Sequence, residues 1–204
     1  MDLARFTFHN GRSSDPVNYL WDNLFRRGKK VDDVRSVLRD NILFQDLGER
    51  DLRFVESLVH VRRFHAGEPI FRQNDVGVGM YLIAKGRIEI FVSDPNSLGK
   101  DDENRDIFIT QLTANDFFGE LALVEDNGRR TASASARDES LLIGFFKPDL
   151  TEILDRNPEA GIKICLRLAE VLGKRLKETT EKVSELRRAI KDLREPPSLD
   201  PQIV

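Results

Sequence analysis

The chain has 204 residues, of which 40% are hydrophobic and 33% charged, and its formal net charge is −3. This composition supports a packed core, and the slightly acidic balance argues against a protein whose main role is to coat nucleic acid. No apolar run approaches the ~20 residues that a membrane-spanning helix needs, and the N-terminus lacks a signal-peptide hydrophobic region. The single cysteine, Cys165, excludes an intrachain disulfide and fits a reducing compartment. We therefore expect a soluble, cytoplasmic protein.

The first sixty residues divide into an extension and a helical segment. Residues 1–30 contain aromatic and basic side chains without a sustained period, and we interpret them as an N-terminal extension. Residues 31–60 follow a helical period, with the following side chains near one face of the first helix: Val31, Val34, Val37, Leu38 and Ile42. Asp51 is of a type that often caps a helix, so we expect a second helix to begin there.

Residues 61–147 alternate between apolar and polar side chains, as β-strands do. The segments EPIFRQ, MYLIAKGRIEIFVS, RDIFITQL, TASASA and SLLIGFF are rich in β-formers and are separated by Gly, Asn and Asp. A turn at Lys85-Gly86 is expected to join two of the strands. Residues 94–104 are polar and predict a hairpin loop. So many short strands predict an antiparallel sandwich of the jelly-roll type.

Residues 148–195 return to a helical period, and residues 196–204 form a tail. Asn157-Pro158 predicts a break followed by a new helix, because proline suits the first helical position. Apolar positions then recur at alternating spacings of four and three: Leu172, Leu176, Thr179, Val183, Leu186, Ile190 and Leu193. This seam favours pairing with a second helix and predicts a homodimer, the alternative being packing on the chain's own sandwich. The expected fold is α+β, with a jelly roll flanked by N-terminal helices and a long C-terminal helix.

Residues 117–136, FFGELALVEDNGRRTASASA, contain the chemistry most specific to this sequence. Gly119 allows a positive φ or close approach to a ligand, and small residues after it can turn amide N–H groups toward an anion. Arg130 offers a fork of donors that fits a phosphate, while Glu120 can accept a sugar hydroxyl. On spacing alone, however, a carboxylate and a guanidinium ten residues apart more often form a surface ion pair.

The same stretch resembles the phosphate-binding cassette of the cyclic nucleotide-binding domain family. Residues 118–123 read F-G-E-L-A-L and residues 130–133 read R-T-A-S, which are the two halves of the family pattern. Similar motifs precede it at residues 65–75 and 80–91, and the resemblance extends from about residue 43 to 193. The loop between the halves is one residue longer than in many members. Arg130 is in register with the following T-A-S, and Arg129 is expected to be solvated.

The resemblance implies a role for each residue of the cassette. Glu120 would accept the ribose 2′-hydroxyl, and Arg130 would neutralise the cyclic phosphate. Thr131 would bond either the phosphate or the base. Three residues would present backbone N–H groups to the phosphate: Gly119, Leu121 and Ala122. Asn74 replaces a glycine that is frequent in the family, and asparagine also tolerates a left-handed conformation.

The base would be held by residues outside the cassette. Residues 175–186 resemble the long helix of catabolite-activator-type members, and by this match Thr179 and Thr180 would contact the base, one of them from a partner subunit. Ile83 and Leu112 are expected to line the apolar side. The Thr179-Thr180 match favours cAMP as the ligand, whereas Thr131 leaves cGMP as the alternative.

These features predict a regulatory protein rather than an enzyme. Only three histidines are present, His9, His60 and His65, and their positions do not suit a shared metal; Cys165 has no neighbouring histidine. We therefore expect no catalytic residues, metal or cofactor. Relatives are often transcription factors, but the chain stops at Val204 before a DNA-binding domain could follow, so we expect an unknown protein partner instead. A fold that has lost its ligand and acts as an interaction module is the remaining alternative.

Overall fold

The computed structural model describes residues 34–93, 106–126 and 128–194. The predicted extension of residues 1–30, the hairpin loop of residues 94–104 and the tail of residues 196–204 lie outside the described residues. The expected fold class is confirmed, because two antiparallel sheets stand between short helices and a long C-terminal helix.

In the described part of the chain, two short helices precede the sheets. Helix α1 spans Val34–Asp40 and buries Val34 and Leu38, whereas Ile42 lies beyond its end and is exposed, contrary to the prediction. Helix α2 spans Glu49–Leu58 with Gly48 as its N-cap, so the expected cap at Asp51 is wrong. The Asp51 carboxylate instead accepts a hydrogen bond of 2.8 Å from the Asn157 side chain.

Among the residues that the structure describes, eight strands form two four-stranded antiparallel sheets. The first sheet has the order β1-β8-β3-β6 and the second has the order β2-β7-β4-β5. The first and eighth, second and seventh, third and sixth, and fourth and fifth strands therefore pair in a nested series, which is the arrangement of a jelly roll. The strands are β1 His60–Phe64, β2 Pro69–Phe71, β3 Gly79–Lys85, β4 Ile88–Ser93, β5 Asp106–Leu112, β6 Phe117–Phe118, β7 Ser133–Ala136 and β8 Ser140–Phe146. The predicted turn between β3 and β4 at Lys85-Gly86 is confirmed.

Apolar side chains fill the space between the sheets. Their buried members are Phe64, Tyr81, Ile83, Ile88, Phe118, Ala134, Ala136 and Leu142. Elsewhere in the core, Phe145 of β8 meets Phe44 edge to face, with ring centroids 5.6 Å apart. Both rings are fully buried, so the segment between α1 and α2 packs firmly against the strands.

Three further helices complete the described part of the chain. They are α3 Leu121–Val124, α4 Lys147–Arg156 and α5 Pro158–Arg194, which begins at proline as predicted. Helix α5 has 37 residues and is about 55 Å long. Its first turns bury Ala160, Ile164 and Leu168. Among the described helices, none combines the length and apolar character needed to cross a bilayer.

Candidate ligand-binding site

A cavity of about 470 Å³ lies between the second sheet, the 117–132 segment and α5. Its wall includes Ile90 of β4 together with Thr110 and Leu112 of β5. Arg175 and Glu178 of α5 also line it. The cavity wall therefore combines mostly apolar sheet residues with charged helix residues.

The 117–132 segment places two buried charges at this cavity. Glu120 and Arg130 are each only 7% exposed, although they stand on either side of a surface loop. Gly119 has a φ of +78°, a conformation that favours glycine, and a side chain there would push against the end of the Arg130 guanidinium. Of the two roles that the sequence left open for Gly119, the positive φ is the one that the backbone shows.

Glu120 and Arg130 do not neutralise each other, and the surface ion pair that spacing alone favoured is wrong. Arg175 Nη1 donates to Glu120 Oε1 at 2.5 Å, and Arg175 Nη2 donates to the Phe117 carbonyl at 3.2 Å. Arg130 Nη1 donates instead to the Gly119 carbonyl at 3.1 Å. Each charge thus has its own partner, one of them on the long helix.

Arg130 is a buried cation without a carboxylate partner among the described residues. Its guanidinium carbon lies 4.0 Å from the centroid of the Phe71 ring. Burial lowers the pKa of the Arg130 guanidinium, against the opposing effect of Tyr81, Asp75 and Glu120, yet arginine stays protonated at neutral pH. Among the described residues, the Arg130 guanidinium has one hydrogen-bond acceptor, the Gly119 carbonyl, and Arg130 lines the cavity, so its other donors are available there. The arrangement suits an anion.

Backbone hydrogen bonds hold Arg130 in place. The Arg130 N–H donates to the Asp75 carbonyl at 2.8 Å, and the Asn74 N–H donates to the Arg130 carbonyl at the same distance. Asn74 has a φ of +71°, the left-handed conformation that asparagine was expected to tolerate there. Arg129 is exposed, as expected, and its Nη1 donates to the Asn74 carbonyl at 2.7 Å.

The structure brings only some of the predicted ligand residues to the cavity. Gly119, Glu120, Leu121, Ala122, Arg130, Thr131 and Leu112 line it. The Ala122 N–H already donates to the Gly119 carbonyl, at a long 3.2 Å. Ile83 is fully buried between the sheets and is absent from the cavity wall, so it has a packing role.

Thr179 and Thr180 are also absent from the cavity wall in the described chain. Their hydroxyls donate to the carbonyls of Arg175 and Leu176, each at 2.8 Å, and both side chains are exposed. Contact with a base would therefore need a change of rotamer, a movement of α5 or a second chain.

Among the cavity-lining residues that sequence reasoning missed, Phe71, Arg175 and Glu178 bear most directly on the site's charges. A helical signal for Arg175 was available, because Ile164, Leu168, Val171 and Arg175 fall on one face at spacings of four, three and four. Glu178 continues that face by three residues. The sequence offered no comparable signal for Phe71. The alternating pattern of a short strand does not show that a distant arginine packs on one of its rings.

Comparisons with known proteins agree with this fold. Residues 61–157 match the family model of the cyclic nucleotide-binding domain. The cyclic AMP receptor protein of Thermus thermophilus is 30% identical over 141 residues, covering 69% of this chain and 60% of the relative. The cAMP-activated global transcriptional regulator of Escherichia coli O6:H1 is 25% identical over 135 residues, covering 66% and 59%.

A solved structure gives the same result. The crystal structure of the Thermus thermophilus catabolite activator protein aligns with a TM-score of 0.61 and 29% identity, covering 72% of this chain and 63% of that one. Residues 61–157 of this chain thus form a cyclic nucleotide-binding domain. It spans about three fifths of the length of the curated relatives that it matches.

Proposed function

We propose that this protein is a cAMP-binding regulatory protein whose long helix responds to the ligand. The observation that carries the proposal is the pair of buried, separately held charges, Glu120 and Arg130, at one cavity. Burying a charge is costly unless something binds it, so a site that keeps Arg130 without a carboxylate is suited to receiving an anion.

Each part of a cyclic nucleotide has a matching region in the cavity. The cyclic phosphate accepts hydrogen bonds from Arg130, and the ribose 2′-hydroxyl donates to Glu120. The base occupies the space between Leu112 and Ile90 on the sheet and the helix α5. Thr131, which lines the cavity beside Arg130, is available to the phosphate or to the base.

The Arg175–Glu120 pair links ligand binding to the position of α5. Arg175 occupies an oxygen of the carboxylate that the ribose needs. A ligand that competes for Glu120 weakens the tie to Arg175, and the population shifts toward a different helix position. The partly exposed Arg175 makes such an exchange accessible.

Replacing Arg175 with methionine tests this coupling. We expect α5 amides near residues 171–182 to exchange faster in the ligand-free variant, because the tie to Glu120 is lost. The change in their exchange that cAMP causes in the wild type should shrink correspondingly. Hydrogen-exchange mass spectrometry measures both. Arg167→Met is the matched control, because Arg167 ties the same helix to Asp46 away from the cavity; equal ligand responses in wild type and Arg175→Met would contradict the coupling.

We also propose that the protein is a cytoplasmic homodimer that pairs through α5. Leu176 is 69% exposed and Leu193 is 87% exposed, and Val183, Leu186 and Ile190 are exposed as well. A helix that leaves an apolar seam in solvent is suited to pairing with a second copy. A partner helix would also approach Thr179, which lies on the same seam.

Leu186→Glu is expected to weaken the dimer by roughly tenfold or more, because it places two unpaired charges in an apolar seam. Sedimentation velocity over a range of protein concentrations measures the effect. Ser184→Glu adds the same charge off the seam and should leave the association unchanged. A wild type that stays monomeric at high concentration would rule out the proposed dimer.

Calorimetric titration of the purified, nucleotide-free protein with cAMP and then cGMP tests the function. Binding at micromolar concentrations or tighter is the expected result, with cAMP preferred over cGMP. Preference for cGMP would instead favour the alternative ligand for the same site. Absence of binding to either, from folded protein, would favour the ligand-free interaction module.

A further inference from the structure

Phe71 lies directly beneath the candidate phosphate-binding guanidinium. It is the last residue of β2, outside the 117–132 segment that resembles the family cassette. The Arg130 guanidinium carbon is 4.0 Å from the ring centroid, a close distance for a cation over an aromatic face. Phe71 also lines the cavity, so ring and guanidinium form one surface.

Other aromatic rings fix the orientation of Phe71. Its centroid is 5.7 Å from that of Phe118 and 6.4 Å from that of Tyr81. Phe118 and Tyr81 are stacked on each other at 5.7 Å, and both are buried. The Phe71 ring therefore rests on a rigid aromatic layer and has little freedom to turn away from Arg130.

A ring under the guanidinium differs in effect from a carboxylate beside it. A carboxylate would orient Arg130 but would also neutralise its charge and occupy the donors that an anion needs. An aromatic face attracts the cation while leaving the edge of the fork free. Arg130 donates one hydrogen bond to the Gly119 carbonyl, and this bond fixes the rotation of the guanidinium within its own plane.

We propose that Phe71 is a positioning residue that holds Arg130 ready for the ligand phosphate. The proposal rests on the proposed function, because it assigns Phe71 a role at the same anion site. Phe71 acts through Arg130 and is not itself a donor to the ligand.

A double-mutant cycle tests the proposal by calorimetric titration with cAMP. Phe71→Leu is expected to weaken binding roughly 3- to 30-fold in the wild-type background. In the Arg130→Ala background the same substitution should change affinity less than about twofold, because the residue that it positions is gone. Phe71→Tyr keeps the aromatic face and should restore most of the affinity. Equal losses in both backgrounds would overturn the proposal and assign Phe71 a packing role.

Phe91→Leu is the matched control, because Phe91 lies on β4 of the same sheet and packs against Phe108 instead of Arg130. It should bind cAMP like the wild type. A measurement on the ligand-free protein distinguishes this proposal from the proposed function. In nuclear magnetic resonance spectra, the Phe71 ring should shield the Arg130 Nε proton by its ring current. This shielding should disappear in Phe71→Leu and persist in Phe91→Leu. A shielded proton in a protein that binds no nucleotide would contradict the proposed function but not the contact between Phe71 and Arg130. An unshielded proton in the wild type would contradict that contact.

Discussion

Replacing Phe145 with alanine is expected to lower the free energy of unfolding by about 3–5 kcal/mol. Phe145 is fully buried in β8 and meets the buried Phe44 ring edge to face. Removal of the ring leaves a cavity where the segment between α1 and α2 packs on the strands, and the surrounding aromatic and aliphatic side chains can collapse into it only partly. Urea unfolding followed by circular dichroism measures the loss.

Phe108→Ala provides the comparison for this prediction. Phe108 lies on the edge strand β5 and is 53% exposed, and its ring makes an edge-to-face contact with Phe91. Its loss should cost about 1 kcal/mol. If Phe145→Ala cost no more than Phe108→Ala, the Phe44–Phe145 contact would not be the packing centre that the structure describes.

Replacing Arg130 with alanine is expected to weaken cAMP binding by about 1.5–3 kcal/mol, which is roughly 10- to 150-fold. Arg130 is a buried cation that lines the cavity, and the charge-assisted hydrogen bonds that we propose it makes to the phosphate would be lost with it. Calorimetric titration measures the affinity, and circular dichroism establishes that the variant is folded.

Arg129→Ala is the matched control for Arg130→Ala. The two arginines are adjacent, but Arg129 is exposed and donates to the Asn74 carbonyl. Its removal should change affinity less than about threefold, because a solvated charge interacts weakly with a ligand. An Arg130→Ala variant with wild-type affinity, or a larger loss in Arg129→Ala, would refute the assignment of the phosphate to Arg130.

The sandwich and the cassette were predictable because each depends on local patterns. Alternation marked the strands, and Asn74 and Gly119 were identifiable because few residue types accept a positive φ. Helix boundaries were less accurate: Asp51 looked like a cap, but the backbone of Gly48 begins α2 and the Asp51 carboxylate bonds Asn157, 106 residues away. A side chain that could cap a helix can instead bond a residue far along the chain, and the sequence does not reveal which of the two it does.

The partners of the charged site residues were not predictable for the same reason. Glu120 pairs with Arg175, 55 residues further along, and Arg130 stacks on Phe71, 59 residues before it. Ile83 shows a second limit. Strand β3 is buried on both faces, so alternation could not decide whether Ile83 faces a ligand or the core.

A crystal structure of the protein with cAMP is the most direct test of the central claim. We expect the cyclic phosphate oxygens within hydrogen-bond distance of the Arg130 guanidinium, and the ribose 2′-hydroxyl on the Glu120 carboxylate in competition with Arg175. Nucleotide bound away from Arg130, or a cavity that stays empty at saturating cAMP, would contradict the account.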